Sequence, residues 1–515
     1  MAEQADARVP ETDGATTEST IQSRLRSALL SRGWHRTSSE PRVKPGQPLL
    51  PGLQCLGSAD RAAAADLLRN AAALREGHLA LLGRITPCDG EIYWAGRDAT
   101  PTFRMALHSL EHLVPASYAA VLAESPDERT EWWTLVSRHL EDWLTRGRRG
   151  HGAAARLESQ TRRLTNMIQI ATIFAPELQH DAELRRPLLE VMYGDAASLA
   201  VTLPRHPADV WLVVGARALF SAGRFFGCEE ARGWLELASG ILWKQLRELV
   251  HDDGGLRDRS PARQAVVLTE YLELFACLWA NVEEIPAWER KRVRSMAYCL
   301  ARLLHPDGEM ALGDGSPVII PHPGDELMAV AAVVLDDPAF AVRSELHGIW
   351  PVAILGKRSR RVYQTLAQAP QGGAAPRALR RTGFYVMPGD AGDVMILDAA
   401  GAGAGRAGGF AFECSVGGRL LIVGPGAGAD DGHPLASWAR GAQARNVLSD
   451  RRAFASSPAG RGAVETEVHW TMRDGLLCFT GTEPRGPEVR HRRSVFCLPG
   501  RFWIVCDEII GAGEW

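Results

Sequence analysis

The chain has 515 residues, 46% hydrophobic and 23% charged, with 58 basic against 61 acidic side chains and a formal net charge of −3. These values exclude a disordered or fibrous chain and give no global electrostatic drive toward nucleic acid or an anionic membrane. The nine cysteines are scattered, mostly inside apolar runs and without CxxC or His/Cys metal spacing, which predicts buried, reduced thiols.

The opening stretch MAEQADARVPETDGATTEST has no apolar run, so no secretory signal is recognisable and a cytoplasmic location is expected. Residues 1–58, rich in Pro, Gly, Ser, Thr and charge, predict a flexible tail with one short helix near Ile21–Leu30. From 59 to 345 apolar residues recur at helical spacing, as in Trp132, Val136, Leu140, Trp143 and Leu144, and again in Val293, Met296, Leu300, Leu303 and Leu304. Pro204, Pro207, Gly254, Gly255, Pro286 and Pro306 punctuate this pattern, which predicts helical hairpins in a bundle or an α/α toroid. The longest apolar runs, such as Met328–Leu335, are far too short to cross a bilayer.

Residues 346–381, including QAPQGGAAPR from Gln368 to Arg377, read as an interdomain linker. From 382 to 515 the period becomes two. Phe410, Phe412, Cys414 and Val416 alternate, Gly417-Gly418 makes a turn, and Leu420–Val423 returns, which predicts a β-hairpin. Val464, Thr466, Val468 and Trp470 alternate in the same way, and Leu476–Thr480 and Arg501–Asp507 are further strands. Helices first and strands afterwards predict an α+β chain of two domains, the second an antiparallel β-sandwich. So few strands after residue 382 suggest that this sandwich is incomplete and leaves unpaired edges. The Gly401–Gly405 run and the Asp430, Asp431, His433 group read as turns.

The segment from Gly403 to Asn446 resembles the sandwich segment of the heparinase II/III family of polysaccharide lyases. That family's pattern runs His-x-His-Ala-Asp, Ser-Phe-Glu, Val-Asp-Pro-Gly and Arg-Ser-Thr-x-Ala-His-Asn. Phe412, Glu413, Val423, Pro425, Gly426, Ala444 and Asn446 match it, whereas Ala404, Arg406, Gly408, Gly424 and Arg445 replace its His and Asp residues. DGGLRDRSPARQ from Asp253 is similar to the family's Asp-Gly-Gly, Arg-Ser-Pro-x-Tyr-His stretch, with Arg263 at the Tyr position and Gln264 at the His position. In DVWLVVGARALFSAG, Val210 and Trp211 fall where active members carry Asn-His. TRRLTNMI resembles Ser-x-Arg-x-x-Asn-Trp-Ile, with Arg163 and Asn166 in place.

The resemblance implies an α/α toroid followed by the β-sandwich, and lyase chemistry in active members. Such chemistry removes the C5 proton of a uronate after its carboxylate is neutralised, using a Tyr or His base and an acid for the leaving 4-oxygen. Val210 and Trp211 cannot neutralise a carboxylate, and an Arg at 263 or 445 keeps its proton and makes a poor base. The expectation is therefore a catalytically degenerate member without a metal or other cofactor. It would bind an acidic polysaccharide or oligosaccharide, or act beside an active paralogue, with no nucleic-acid or membrane partner. Arg163, Asn166, Trp211, Arg263, Arg406, Arg445 and Asn446 are the candidate binding residues. Two alternatives stand beside it: an active lyase using relocated groups at His206, Tyr271 or His433, and a structural protein with no glycan site.

Overall fold

The computed structural model describes residues 43, 49–88, 92–94, 99–148, 152–313, 322–341, 346, 348–369, 376–389, 392–399, 409–425, 435–448, 466–485 and 488–511. Its first part is built from helices α1 (Ala65–Arg75), α2 (Pro101–His108), α3 (Leu113–Val121), α4 (Pro126–Asp142), α5 (Gly152–Ala155), α6 (Leu157–Ile173), α7 (Ala175–His180) and α8 (Ala182–Thr202). It continues with α9 (Val210–Phe225), α10 (Glu229–Glu248), α11 (Pro261–Ala280), α12 (Ala287–Arg302), α13 (Gly324–Leu335), α14 (Trp350–Leu355) and α15 (Arg358–Ala367). α4 shows how the local sequence sets such an element. Ser125 caps it by accepting from the Glu128 amide at 3.1 Å, Pro126 opens the first turn, and Trp132, Val136 and Leu140 bury one stripe. The helices share one continuous apolar core running from Leu56 to Tyr363, which is the toroid.

The sequence boundaries need two corrections. Residues 346–381 are not a linker throughout, because α14 and α15 lie inside this range and Trp350, Val352, Ala353, Ile354 and Tyr363 enter the helical core. The apolar run Ile349–Leu355 outweighs the flanking Gly, Gln and Pro composition. The end of the expected tail is likewise packed: Leu53–Cys55 forms a 3-10 turn, and the Gly52 amide donates to the Ala353 carbonyl at 2.8 Å. A short hairpin of β1 (His78–Leu81) and β2 (Arg84–Pro87) also interrupts the helices, with Leu79 and Leu81 turned inward.

The C-terminal part holds two antiparallel sheets. One has the order β3 (Arg377–Leu379), β4 (Phe384–Pro388), β5 (Val394–Asp398), β6 (Phe412–Val416), β7 (Arg419–Ile422). The other runs β8 (Glu467–Arg473), β9 (Leu476–Pro484), β10 (Arg490–Leu498), β11 (Phe502–Ile510). Gly417 and Gly418 turn the β6–β7 hairpin at φ +57° and +76°, a conformation that favours glycine. A further short helix, α16 (Ala436–Arg440), follows the hairpin.

Strand alternation gives the five-stranded sheet two buried faces. Tyr385, Met387, Met395, Leu397, Phe412 and Cys414 pack on Leu477, Phe479, Val495 and Cys497 of the other sheet, which makes the sandwich core. The residues between them, Phe384, Val386, Val394 and Ile396, pack on Cys299, Leu303, Ala311 and Leu312 of the helical part. On β6 that same face carries Glu413 and Ser415, and both meet buried His305. Its Nδ1 lies 2.7 Å from Ser415 Oγ and its Nε2 3.1 Å from a Glu413 carboxylate oxygen.

The stretch matched as Asp-Gly-Gly…Arg-Ser-Pro fastens the two parts together. Asp253 accepts from the Arg381 amide at 2.8 Å, the Thr382 amide at 2.9 Å and the Thr382 hydroxyl at 2.6 Å. Gly254 sits at φ +91°, and a Cβ on Gly255 would stand 2.0 Å from Thr382 Oγ1, so only glycine lets the segments meet this closely. Arg259 donates from Nε to the Thr382 carbonyl at 2.7 Å and pairs with Asp398.

His112 and His139 sit in the helical core, 2% and 4% exposed with ring centroids 5.9 Å apart. Burial holds His112 well below the ordinary imidazole range; it takes His139 down to about 4, helped by the Arg138 charge and opposed by Asp142. The unfolded chain therefore takes up these protons at a higher pH than the folded one, so this contribution to stability drains away as pH falls from about 6.5 toward 4. A His139→Gln protein should gain up to about 3 kcal/mol on the wild type across that window. Urea unfolding over a pH series measures the difference, and parallel profiles for the two proteins would contradict the assignment.

Candidate functional site

α9 packs against both α6 and α11, and the starts of α9 and α11 open onto a cavity of about 530 Å³. Asp209 caps α9 by accepting from the Leu212 amide at 2.9 Å, which puts Val210 and Trp211 in the first turn. Ser260 caps α11, accepting from the Arg263 amide at 3.3 Å, and Pro261 opens that helix. Both positive helix ends thus face the same space. Val210 and Trp211 from one segment and Arg263 from another, all assigned from the sequence, line it.

Two cavity residues were not singled out from the sequence. Arg162 lies on the wall with its guanidinium 5.5 Å from the Trp211 ring centroid and 3.7 Å from the Glu111 carboxylate. Burial pushes the Glu111 carboxyl up, against the pull of Arg162. Arg257 is exposed on the rim and, among the described residues, its side chain has no hydrogen-bond or ion-pair partner. The remaining walls mix apolar Met105, Leu249, Leu256 and Val266 with Asp209, Glu248 and Asp258. Arg263 shares Asp258 at 3.3 Å but is far from saturated, since a guanidinium carries five N–H donors.

Other candidates lie elsewhere. Arg163 points into the helix packing and not the cavity: it makes paired contacts of 2.9 and 2.8 Å to Asp195 and donates to the Ala154 carbonyl at 2.9 Å. One residue is 100° of helix rotation, which separates it from Arg162. Asn166 donates to the Ser109 carbonyl at 2.8 Å. Asn446 accepts from the Phe412 amide at 2.8 Å and donates to its carbonyl, so it binds the flank of β6. Arg445 is half-buried after the 3-10 turn Ala442–Ala444 and is not among the residues lining the cavity.

The relocated-base alternative loses Tyr271, which is 1% exposed and donates its hydroxyl to the Leu242 carbonyl at 2.7 Å. Burial drives that hydroxyl far above the ordinary phenol range. His206 is outside the cavity lining, with Nδ1 3.0 Å from the Pro207 carbonyl oxygen and 3.5 Å from Asp209. His433, Arg406 and the Ala404–Gly408 positions lie outside the described residues. Among the described residues, no group of three or more His, Cys, Asp or Glu is placed to hold a metal ion, and no helix is long and apolar enough to cross a membrane.

Residues 371–514 match the family model described as Heparinase II/III-like, C-terminal. Over 98% of its length the chain superposes on 78% of a heparinase III crystal structure with a TM-score of 0.68 at 16% sequence identity. A second heparinase III gene product gives a TM-score of 0.57 at 14% identity, with the same 98% and 78% coverage. The heparan sulfate lyase HepC from Pedobacter heparinus gives 0.51 at 17% identity, covering 98% of this chain and 77% of that one. No curated protein sequence matches the chain. The C-terminal part is thus a heparinase II/III-like domain, and the whole chain has the toroid-plus-sandwich fold of heparinase III.

Proposed function

We propose that this heparinase II/III-like protein takes an acidic, uronate-bearing saccharide into the cavity and binds it without β-elimination. The observation that carries the reading is the meeting of Trp211, Arg257 and Arg263 around one space of about 530 Å³. An indole face stacks on the apolar face of a sugar ring, and guanidinium groups take carboxylate or sulfate oxygens in pairs. The heparan sulfate lyase among the fold neighbours acts, by its name, on a polymer of this chemical class. Elimination is another matter. Val210 offers no donor to a uronate carboxylate, Trp211 has one N–H and no proton-accepting site, and Arg263 stays protonated at any working pH.

Isothermal titration with an acidic oligosaccharide at low ionic strength should show binding that fades as salt passes roughly 0.15 M, where the Debye length is about 8 Å. Trp211→Ala should weaken it about five- to tenfold through lost stacking. No binding at low salt to heparan-, hyaluronan- or chondroitin-type fragments would sink the reading.

A further inference from the structure

Three arginines and three carboxylates line the cavity, Arg162, Arg257 and Arg263 against Asp209, Glu248 and Asp258. Each carboxylate already accepts a hydrogen bond and has a basic side chain beside it. Asp209 accepts from the Leu212 amide at 2.9 Å and lies 3.5 Å from His206. Glu248 accepts from Gln245 Nε2 at 2.9 Å and lies 3.4 Å from Lys244. Asp258 accepts from the Ser260 amide at 3.0 Å and from Arg263 at 3.3 Å. The hydrogen-bonding capacity left on the wall is therefore mostly cationic.

Arg162 differs from the other two arginines in being held. Its side chain is 17% exposed, whereas that of Arg263 is 40% exposed and Arg257 stands out on the rim. Among the described residues its guanidinium makes no hydrogen bond: Nε is buried without a partner, and Nη1 stands 3.7 Å from the Glu111 carboxylate, beyond hydrogen-bond reach. Trp211 braces it, with the ring centroid 5.5 Å away. Burial pushes up the two carboxyls whose charge reaches it, Glu111 and Glu270, so its own charge is poorly compensated. A largely buried cation short of acceptors invites an anion. Position 162 is a variable place in the Ser-x-Arg-x-x-Asn-Trp-Ile pattern, so the resemblance assigns it nothing.

We propose that Arg162 is the specificity-determining residue of the cavity, its guanidinium taking the oxyanion of the bound saccharide, carboxylate or sulfate, from the wall it shares with Trp211. The inference rests on the binding reading above. It moves the choice of acidic over neutral ligands from the exposed rim, which salt screens, to an arginine fixed before the ligand arrives. A fork held in place loses little freedom on binding, and two parallel N–H···O bonds suit either group.

The test is isothermal titration at low ionic strength with a heparan sulfate tetrasaccharide, its carboxyl-reduced form and its desulfated form. Arg162→Met should lower affinity for the intact fragment about ten- to hundredfold, the worth of hydrogen bonds to a charged group. That drop should vanish on one modified fragment: the carboxyl-reduced one if Arg162 reads the carboxylate, the desulfated one if it reads the sulfate. Arg162→Lys keeps a charge beside Glu111 and so protects the fold. It should show the same pattern with a smaller drop, since an ammonium cannot take two oxygens as a fork. Wild-type affinity for the intact fragment in either variant overturns the assignment while leaving binding intact. So does a drop of equal size on all three fragments, which is what a merely structural role would give. Absence of wild-type binding to acidic fragments at low salt overturns the binding reading itself, and with it the role of Arg162.

Discussion

Replacing Arg163 by Met should lower the stability of the protein by about 3–5 kcal/mol, the range seen when one partner of a buried ion pair is removed. Arg163 and Asp195 are 3% and 8% exposed, and the guanidinium also holds the Ala154 carbonyl at 2.9 Å and lies 4.9 Å from the Trp143 ring centroid. Met fills much of the volume but leaves the Asp195 charge without its counter-ion. The double variant Arg163→Met, Asp195→Leu should recover most of the loss, because burying two apolar groups in place of a pair is often close to neutral. Urea unfolding measures both. A single variant within about 1 kcal/mol of the wild type would mean that Asp195 finds water or another donor, and that the pair is not a structural tie.

The second large effect is expected at the junction of the two parts. Asp253→Ala removes the acceptor of two backbone amides and one hydroxyl in the Arg381–Thr382 turn, at a cost of about 2–4 kcal/mol if those donors stay dry. Adding Arg259→Met removes the tie to Asp398 as well. Calorimetry of the double variant should then resolve separate toroid and sandwich transitions. One cooperative transition at the wild-type temperature would show that the apolar contact of Leu303 and Leu312 with Phe384, Val386 and Ile396 holds the parts together unaided.

Those two sites mark where the sequence was legible and where it was not. The β6–β7 hairpin could be read in advance because it is local: alternation and Gly417-Gly418 specify it within a dozen residues. The assignment of Val210, Trp211 and Arg263 to one place rested on the family resemblance, and the helix caps Asp209 and Ser260 show how the chain achieves it. Arg163 is a binding candidate by its motif position, while in the fold it pairs with buried Asp195. Nothing in TRRLTNMI tells which of two adjacent arginines faces a cavity until the neighbours of α6 are known. Asn446 is a related case, since its hydrogen bonds run to the backbone of Phe412, which precedes it by 34 residues and which no local pattern links to it. The helices α14 and α15 were lost to composition, where a short apolar run, Ile349–Leu355, carried the stronger signal.

The central claim is that the cavity keeps a sugar-binding wall and lacks the groups for elimination. Ultraviolet absorbance of the unsaturated uronate product tests this most directly, with heparan sulfate, hyaluronan, chondroitin and alginate each incubated for long periods at high protein concentration. Loss of a single catalytic group costs orders of magnitude in rate, and the proposed reading has Val210, Trp211 and Arg263 at positions where the motif resemblance would put several. The account predicts no rise above the protein-free control on any of the polymers. A steady rise that scales with protein concentration and vanishes in a His206→Ala variant would contradict it, and would make the protein a lyase with a relocated base.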